Sequence, residues 1–241
     1  MTSAYAAPVA ARVAAADWDR IAGDLEAHGA ATTGPLLDPA ECRALAAVYA
    51  GEAGFRSRVV MARHGFGQGE YKYFSYPLPP IVAELRKALY PRLAPIARRW
   101  STAMGRAGEV PATLDAYLKR CHAAGQTRPT PLLLRYGAGD YNCLHQDLYG
   151  ELAFPLQATI LLSAPGDEFI GGEFVLVEQR PRMQSRPEVV PLRQGEAVIF
   201  AVNERPVEGK RGTYRVKMRH GVSRVRQGER MTLGIIFHDA R

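Results

Sequence analysis

Three residues in this chain have the chemistry and the spacing to hold a metal ion. In Leu144-His145-Gln146-Asp147 an imidazole and a carboxylate stand two positions apart. A strand alternates faces, so both project the same way and can approach one ion from adjacent directions at a strand end. A third donor must come from elsewhere in the fold. His220 is the best candidate, because it directly follows residues 214–219, which read as a strand. Two imidazoles and one carboxylate on one face of an ion leave its other positions open, the donor set of non-haem iron sites. Taken alone the His-x-Asp pair also suits structural histidines in a β-rich core, since the chain has 6 histidines.

The residues after His220 strengthen the metal reading. Gly228 permits a tight turn, after which Arg230 and Thr232 enter a strand and share one face. A buried guanidinium and hydroxyl there can hold the distal carboxylate of a dicarboxylate through charge-assisted, bidentate hydrogen bonds. A surface arginine at a strand start is the plainer alternative.

The elements that must position these groups divide the chain into two unequal textures. Residues 1–130 read as largely helical with a short β lid, packed on a core formed by residues 131–241. The two make one structural domain. Residues 17–28 put Trp18, Ile21, Ala22 and Leu25 on one helical face. Asp38-Pro39-Ala40-Glu41 is an N-cap followed by proline and a capping glutamate. A helical stretch over 80–104 is expected to break or kink at Pro91 and Pro95, and 113–121 predicts another helix. Residues 58–62 and 70–75 predict strands around a glycine-punctuated segment. The alanine-rich stretch 4–16 reads as a loose tail leading into a helix, without the pattern of a signal peptide. From residue 131 short β-like runs recur over 132–136, 156–162, 173–177, 188–192, 197–201, 214–219 and 232–238. Many short strands with polar turns predict a mainly β jelly roll flanked by helices.

Composition limits the function classes. A length of 241 residues suffices for a full core, and 47% hydrophobic with 23% charged residues is ordinary for a globular chain. No apolar run approaches a membrane span. The 3 cysteines form no CxxC pair, which argues against a disulfide framework or a thiolate zinc site and for a reduced, cytoplasmic setting. A net charge of +7 suits a polyanionic partner, or simply a solvated basic surface.

His-x-Asp, a distant histidine and an arginine ten residues later followed by x-Thr resemble the iron(II)/2-oxoglutarate oxygenases. Gly171-Gly172-Glu173-Phe174 is similar to the glycine-rich turn between the two halves of that motif. The resemblance implies a double-stranded β-helix. It also implies iron(II) held by His145, Asp147 and His220, with 2-oxoglutarate bound by Arg230 and Thr232 and O2 as the other reactant. Upstream, Arg135-Tyr136-Gly137 through Leu144-His145-Gln146-Asp147 resembles the matching segment of AlkB-type nucleic-acid demethylases, which makes Tyr136 a further 2-oxoglutarate contact. The whole chain looks like a bacterial family predicted to demethylate damaged DNA oxidatively. It departs from AlkB at Leu134, where AlkB has asparagine, and at Tyr149, where AlkB has an acidic residue. The Arg230 spacing is instead that of prolyl hydroxylases.

Substrate contacts are expected from the lid over 56–73, where cations interleave with aromatics as they do in single-strand binders. Arg58, Arg63, His64 and Tyr71 are the candidates there, with Tyr149 beside the metal; the same pattern also suits a solvated loop over core aromatics. Arg215, Lys217 and Arg219 share one strand face, which can equally be a solvent face, and 203–209 is a candidate gate. The readings that follow are oxidative demethylation of alkylated DNA or RNA, hydroxylation of a prolyl residue, another peptide side chain or a small molecule, and a non-catalytic metal-binding jelly-roll sensor.

Overall fold

Two antiparallel sheets face each other, and helices cover the outer face of the larger one. The computed structural model describes residues 7–106, 110–210 and 212–241. In chain order the elements are α1 (Val9–Ala14), α2 (Trp18–His28), β1 (Ala30–Pro35), α3 (Pro39–Val48), β2 (Phe55–Val60), a 3-10 turn (Met61–His64), β3 (Gly67–Gln68), β4 (Glu70–Phe74), α4 (Pro80–Ala103) and α5 (Leu114–Ala123). Then follow β5 (Leu132–Tyr136), β6 (Tyr141–His145), β7 (Leu156–Leu161), β8 (Phe169–Gly171), β9 (Phe174–Gln179) and β10 (Arg186–Val190). The last are β11 (Glu196–Ala201), β12 (Glu204–Gly209), β13 (Gly212–Val222), β14 (Val225–Gly228) and β15 (Arg230–Ile235).

The seven-stranded sheet runs β1-β11-β7-β15-β5-β4-β2, and the six-stranded sheet runs β10-β9-β13-β6-β3 with β12 beside β13. This is the mainly β jelly roll that the spacing of the runs predicts. Strands β1, β2 and β4, all from the first 130 residues, extend the larger sheet at both edges. The composition of β1 hides it: Ala-Ala-Thr-Thr-Gly-Pro has little strand character, and pairing with β11 draws it in.

The larger sheet has two chemically different faces. On one, Leu133, Ile160, Leu233 and Ile235 join Leu85, Leu89, Leu93 and Ala97 of α4 in a single apolar core. On the other, Tyr136 stands opposite Arg230, and Leu134 and Leu161 flank Thr232. That inner face looks toward the second sheet and carries the polar groups. Period-two alternation sorts them, so a one-residue slip would exchange the core for the site.

Local helix signals hold. Asp17 caps α2, and Asp38 with Glu41 completes the capping box of α3. Helix α4 differs from expectation: it continues through Pro91 and Pro95 without a break. Both prolines are exposed, so the carbonyls they leave unbonded can turn to water while the opposite face stays buried. The N-terminal expectation is corrected too. Residues 9–14 form α1, with Val9 and Val13 buried, while residues 1–6 lie outside those described. Residues 203–209 are no gate. They are largely β12, and buried Arg205 donates to the α2 carbonyls of Glu26 and Ala27 and to Glu178.

Candidate active site

Strand register makes neighbours of the two histidines. His145 on β6 stands directly opposite His220 on β13, and their ring centroids lie 4.2 Å apart. Gly221 permits that approach, because a Cβ there would meet the Asn142 carbonyl oxygen at 2.7 Å. Asp147 follows β6 and reaches both rings: Oδ1 is 3.5 Å from His145 Nε2, and Oδ2 is 3.3 Å from His220 Nε2. One ligand atom from each residue lies within 4.8 Å of the others.

Neighbouring groups orient this set. His145 Nδ1 lies 2.8 Å from the Cys143 carbonyl oxygen. Donation there puts the proton on Nδ1 and leaves the Nε2 lone pair free as a ligand. The Tyr149 hydroxyl donates to Asp147 Oδ1 at 2.6 Å. The His220 ring packs against Phe200 and Phe174, which also touch each other. Burial by itself would raise the Asp147 pKa, but hydrogen bonds to His145 and His220 outweigh it and hold the carboxyl well below its ordinary range. For His145, burial favours the neutral ring and Asp147 more than reverses it, so the pKa rises. Burial, then the charge on His145, lowers that of His220. The result is an ionised carboxylate between two imidazoles, a fitting donor set for a divalent cation.

The triad lines a cavity of about 200 Å³ that Arg230 also lines. Arg230 is 1% exposed, and its Nε and Nη1 meet no acceptor. Its guanidinium lies 5.6 Å from the centroid of the Tyr136 ring. Burial lowers its pKa to about 10, which still leaves it charged at neutral pH. A buried cation with no hydrogen-bonded counter-ion costs roughly several kcal/mol, and Glu173 eases this one through its charge alone. A ligand carboxylate is what this guanidinium lacks, so the residues fit a dicarboxylate cosubstrate. Thr232 is buried next to it along the same face, and Asn142 donates to the Tyr136 hydroxyl at 3.3 Å.

Of the expected substrate contacts, Tyr71 and Tyr149 line the cavity. Tyr149 spends its hydroxyl on Asp147, so only its ring is free for a ligand. Arg58 is corrected: it lies beside Lys72 in the β2–β4 register, on the face away from the cavity, and pairs with Glu70. Arg63 and His64 are exposed outside the lining, although His64 stacks at 5.3 Å on Phe66, which does line it. Arg215, Lys217 and Arg219 are on an exposed face. Among the lining residues that escape the sequence reading are Gln157 and Thr159 of β7. Their signal is a polar side chain at every second position of an otherwise apolar strand, and Gln157 Oε1 is buried without a partner.

Residues 69–240 match the model of the Oxygenase-NA family, described as "Oxygenase, catalysing oxidative methylation of damaged DNA". The chain belongs to the Oxygenase-NA family. The matched segment starts just before β4 and contains the triad, Arg230 and Thr232; α1–α3 precede it. An uncharacterized protein of Mycobacterium tuberculosis is 53% identical over 167 residues, which cover 69% of this chain and 72% of the relative. Among solved structures, a Pseudomonas putida prolyl-4-hydroxylase aligns with TM-score 0.53 at 15% identity, covering 93% of this chain and 99% of its own. A 2OG-Fe(II) oxygenase family oxidoreductase from Burkholderia pseudomallei aligns with TM-score 0.50 at 17% identity, covering 92% of each. A Trichoplax adhaerens prolyl hydroxylase, in complex with a hypoxia inducible factor peptide fragment, aligns with TM-score 0.54 at 13% identity, covering 92% and 89%. At these identities the likeness is one of fold. This Oxygenase-NA chain is therefore an oxygenase on a 2-oxoglutarate-oxygenase jelly roll, and its donor set and buried arginine support iron(II), 2-oxoglutarate and O2 as cofactors. No helix among the described residues is long and apolar enough to cross a membrane.

Proposed function

We propose that this oxygenase couples 2-oxoglutarate decarboxylation to hydroxylation of a C–H bond, and that the bond belongs to an N-methyl group on a nucleobase of damaged DNA or RNA. The observation that carries the first part is the partnerless Arg230 guanidinium lining the same cavity as His145, Asp147 and His220. The second part rests on the description of the family, on the net charge of +7, and on Phe66 and Tyr71 at the cavity, where a base can stack. On this reading the base must leave any duplex to reach the triad.

When bound, iron(II) with 2-oxoglutarate and O2 supplies the oxidising chemistry that turns C–H into C–OH, with succinate and carbon dioxide as coproducts. The protein positions the partners. His145 and His220 offer Nε2, and Asp147 offers a carboxylate that Tyr149 steadies from one side. Arg230 and Thr232 hold the distal carboxylate of the cosubstrate, and the Tyr136 hydroxyl, bonded to Asn142, borders it. Apolar groups around the cavity, Leu132, Leu134, Leu148 and Phe174 among them, exclude water from the reacting centre. A hydroxylated N-methyl group is unstable and leaves as formaldehyde.

The test is to supply iron(II), 2-oxoglutarate and O2 with methylated oligonucleotides, and in parallel with peptide libraries. Succinate together with formaldehyde from the oligonucleotides is the expected result. A stable gain of 16 daltons on a peptide, with no formaldehyde from any oligonucleotide, would replace the nucleobase reading with a hydroxylase one. The spacing between His220 and Arg230 favours that second reading, as it resembles the prolyl hydroxylases. Absence of both metal binding and turnover would leave a jelly roll without this chemistry.

A further inference from the structure

Arg230 borders a second cavity as well as the first. A space of about 260 Å³ lies between the β8 region, the Gly171-Gly172 turn and the end of β10, and Arg230 contributes to its lining. Its other walls are almost entirely apolar: Leu161, Phe169, Ile170, Phe174, Val190 and Leu192 are the larger of them. The Gly172 backbone lies against the arginine, because a Cβ built there would sit 2.8 Å from Arg230 Cδ and 3.5 Å from Nε. The Gly172 backbone thus lies against the Cδ–Nε end of the arginine, and that Nε has no acceptor.

A guanidinium has two forks, one across its terminal nitrogens and one across Nε and the neighbouring terminal nitrogen. A single dicarboxylate in the front cavity uses one fork. We propose that the rear cavity binds a short aliphatic monocarboxylate, its carboxylate on the Nε fork of Arg230 and its tail against Leu161, Phe169 and Leu192. The apolar walls call for an alkyl tail. The carboxylate of Glu173, which also lines the cavity and accepts from the Ser223 hydroxyl, disfavours a ligand with a second anionic group. Two anions then share one cation, so occupation of the rear site weakens cosubstrate binding in front. The site is an inhibitory one. It rests on the proposed function only for the identity of the front ligand.

Hexanoate is the probe, followed by ligand-observed NMR on the full chain with iron(II) under anaerobic conditions. It is expected to bind in the millimolar range or tighter, and to raise the Kd for 2-oxoglutarate about 10-fold to a plateau, the behaviour of two ligands held at once with coupled affinities. Leu192→Trp and, at a half-exposed position that tolerates bulk, Ile170→Trp should each weaken hexanoate about 10-fold or more while leaving 2-oxoglutarate within about 3-fold, both order-of-magnitude effects of filling the pocket. Arg230→Met should weaken both ligands. Three results would each overturn the rear site: no binding at about 10 mM, unchanged binding in both tryptophan variants, or competition that rises with hexanoate and never levels off. The last places hexanoate in the front cavity. If hexanoate binds through Arg230 and fails in the tryptophan variants while 2-oxoglutarate does not bind at all, the rear site stands and the cosubstrate reading falls.

Discussion

The metal-ligand group and Arg230 share one cavity, yet they are finished to different degrees. Around the triad the protein has answered most of its own polar groups: His145 bonds to the Cys143 carbonyl, and Asp147 receives Tyr149 and faces both imidazoles, which leaves only His220 Nδ1 buried without a partner. Around Arg230 it has not, for Nε and Nη1 are buried and partnerless. The metal site is thus preorganised by short-range bonds within one sheet and the loop that follows β6. The arginine site is a buried charge that Glu173 eases without a hydrogen bond, and an incoming anion would complete it. One region is built to hold its geometry, and the other to make anion binding strongly favourable.

That contrast can be broken by substitution. The largest effect is expected from Asp147→Ala or His145→Ala, which should abolish iron binding, read by calorimetry, and succinate formation with it; retained stoichiometric binding in both would dissolve the metal assignment. Next, Arg230→Met should weaken 2-oxoglutarate by roughly two to three kcal/mol, the value of hydrogen bonds to a charged group, while iron affinity holds. Because it removes an uncompensated buried charge, the same variant should melt at the same or a higher temperature without ligands. A lower melting temperature would mean that the guanidinium has a structural partner. Tyr149→Phe comes third: losing its bond to Asp147 should cost about 10-fold or more in iron affinity, as for groups that orient ligands, with little change in 2-oxoglutarate binding. Equal losses of both affinities would blur the distinction between the two regions. Smallest is Arg58→Ala, which faces away from the cavity and pairs with Glu70; turnover within about 2-fold is expected, since exposed pairs contribute little.

Legibility in the sequence followed the range of the interaction. The Asp38 capping box, the β5 strand over Leu132–Tyr136, and the shared face of Arg230 and Thr232 depend on neighbours a few positions away, and all are as read. Strand β1 was hidden because its own composition resists the β state and only β11 recruits it. The continuity of α4 was hidden because whether proline breaks a helix depends on which face it occupies, and both prolines face solvent. Arg58 looked like a substrate contact because it stands among aromatics in the chain, whereas the β2–β4 register turns it away from them.

From the residues alone came the donor types, the two-residue step that puts His145 and Asp147 on one side, and the arginine and hydroxyl that follow His220. Those relations are local, and backbone periodicity enforces them. What required the folded chain was the pairing of β6 with β13 that brings His220 opposite His145, and the burial that leaves Arg230 without a partner. Strand register and burial are settled by how two sheets pack, so no spacing along the chain encodes them by itself.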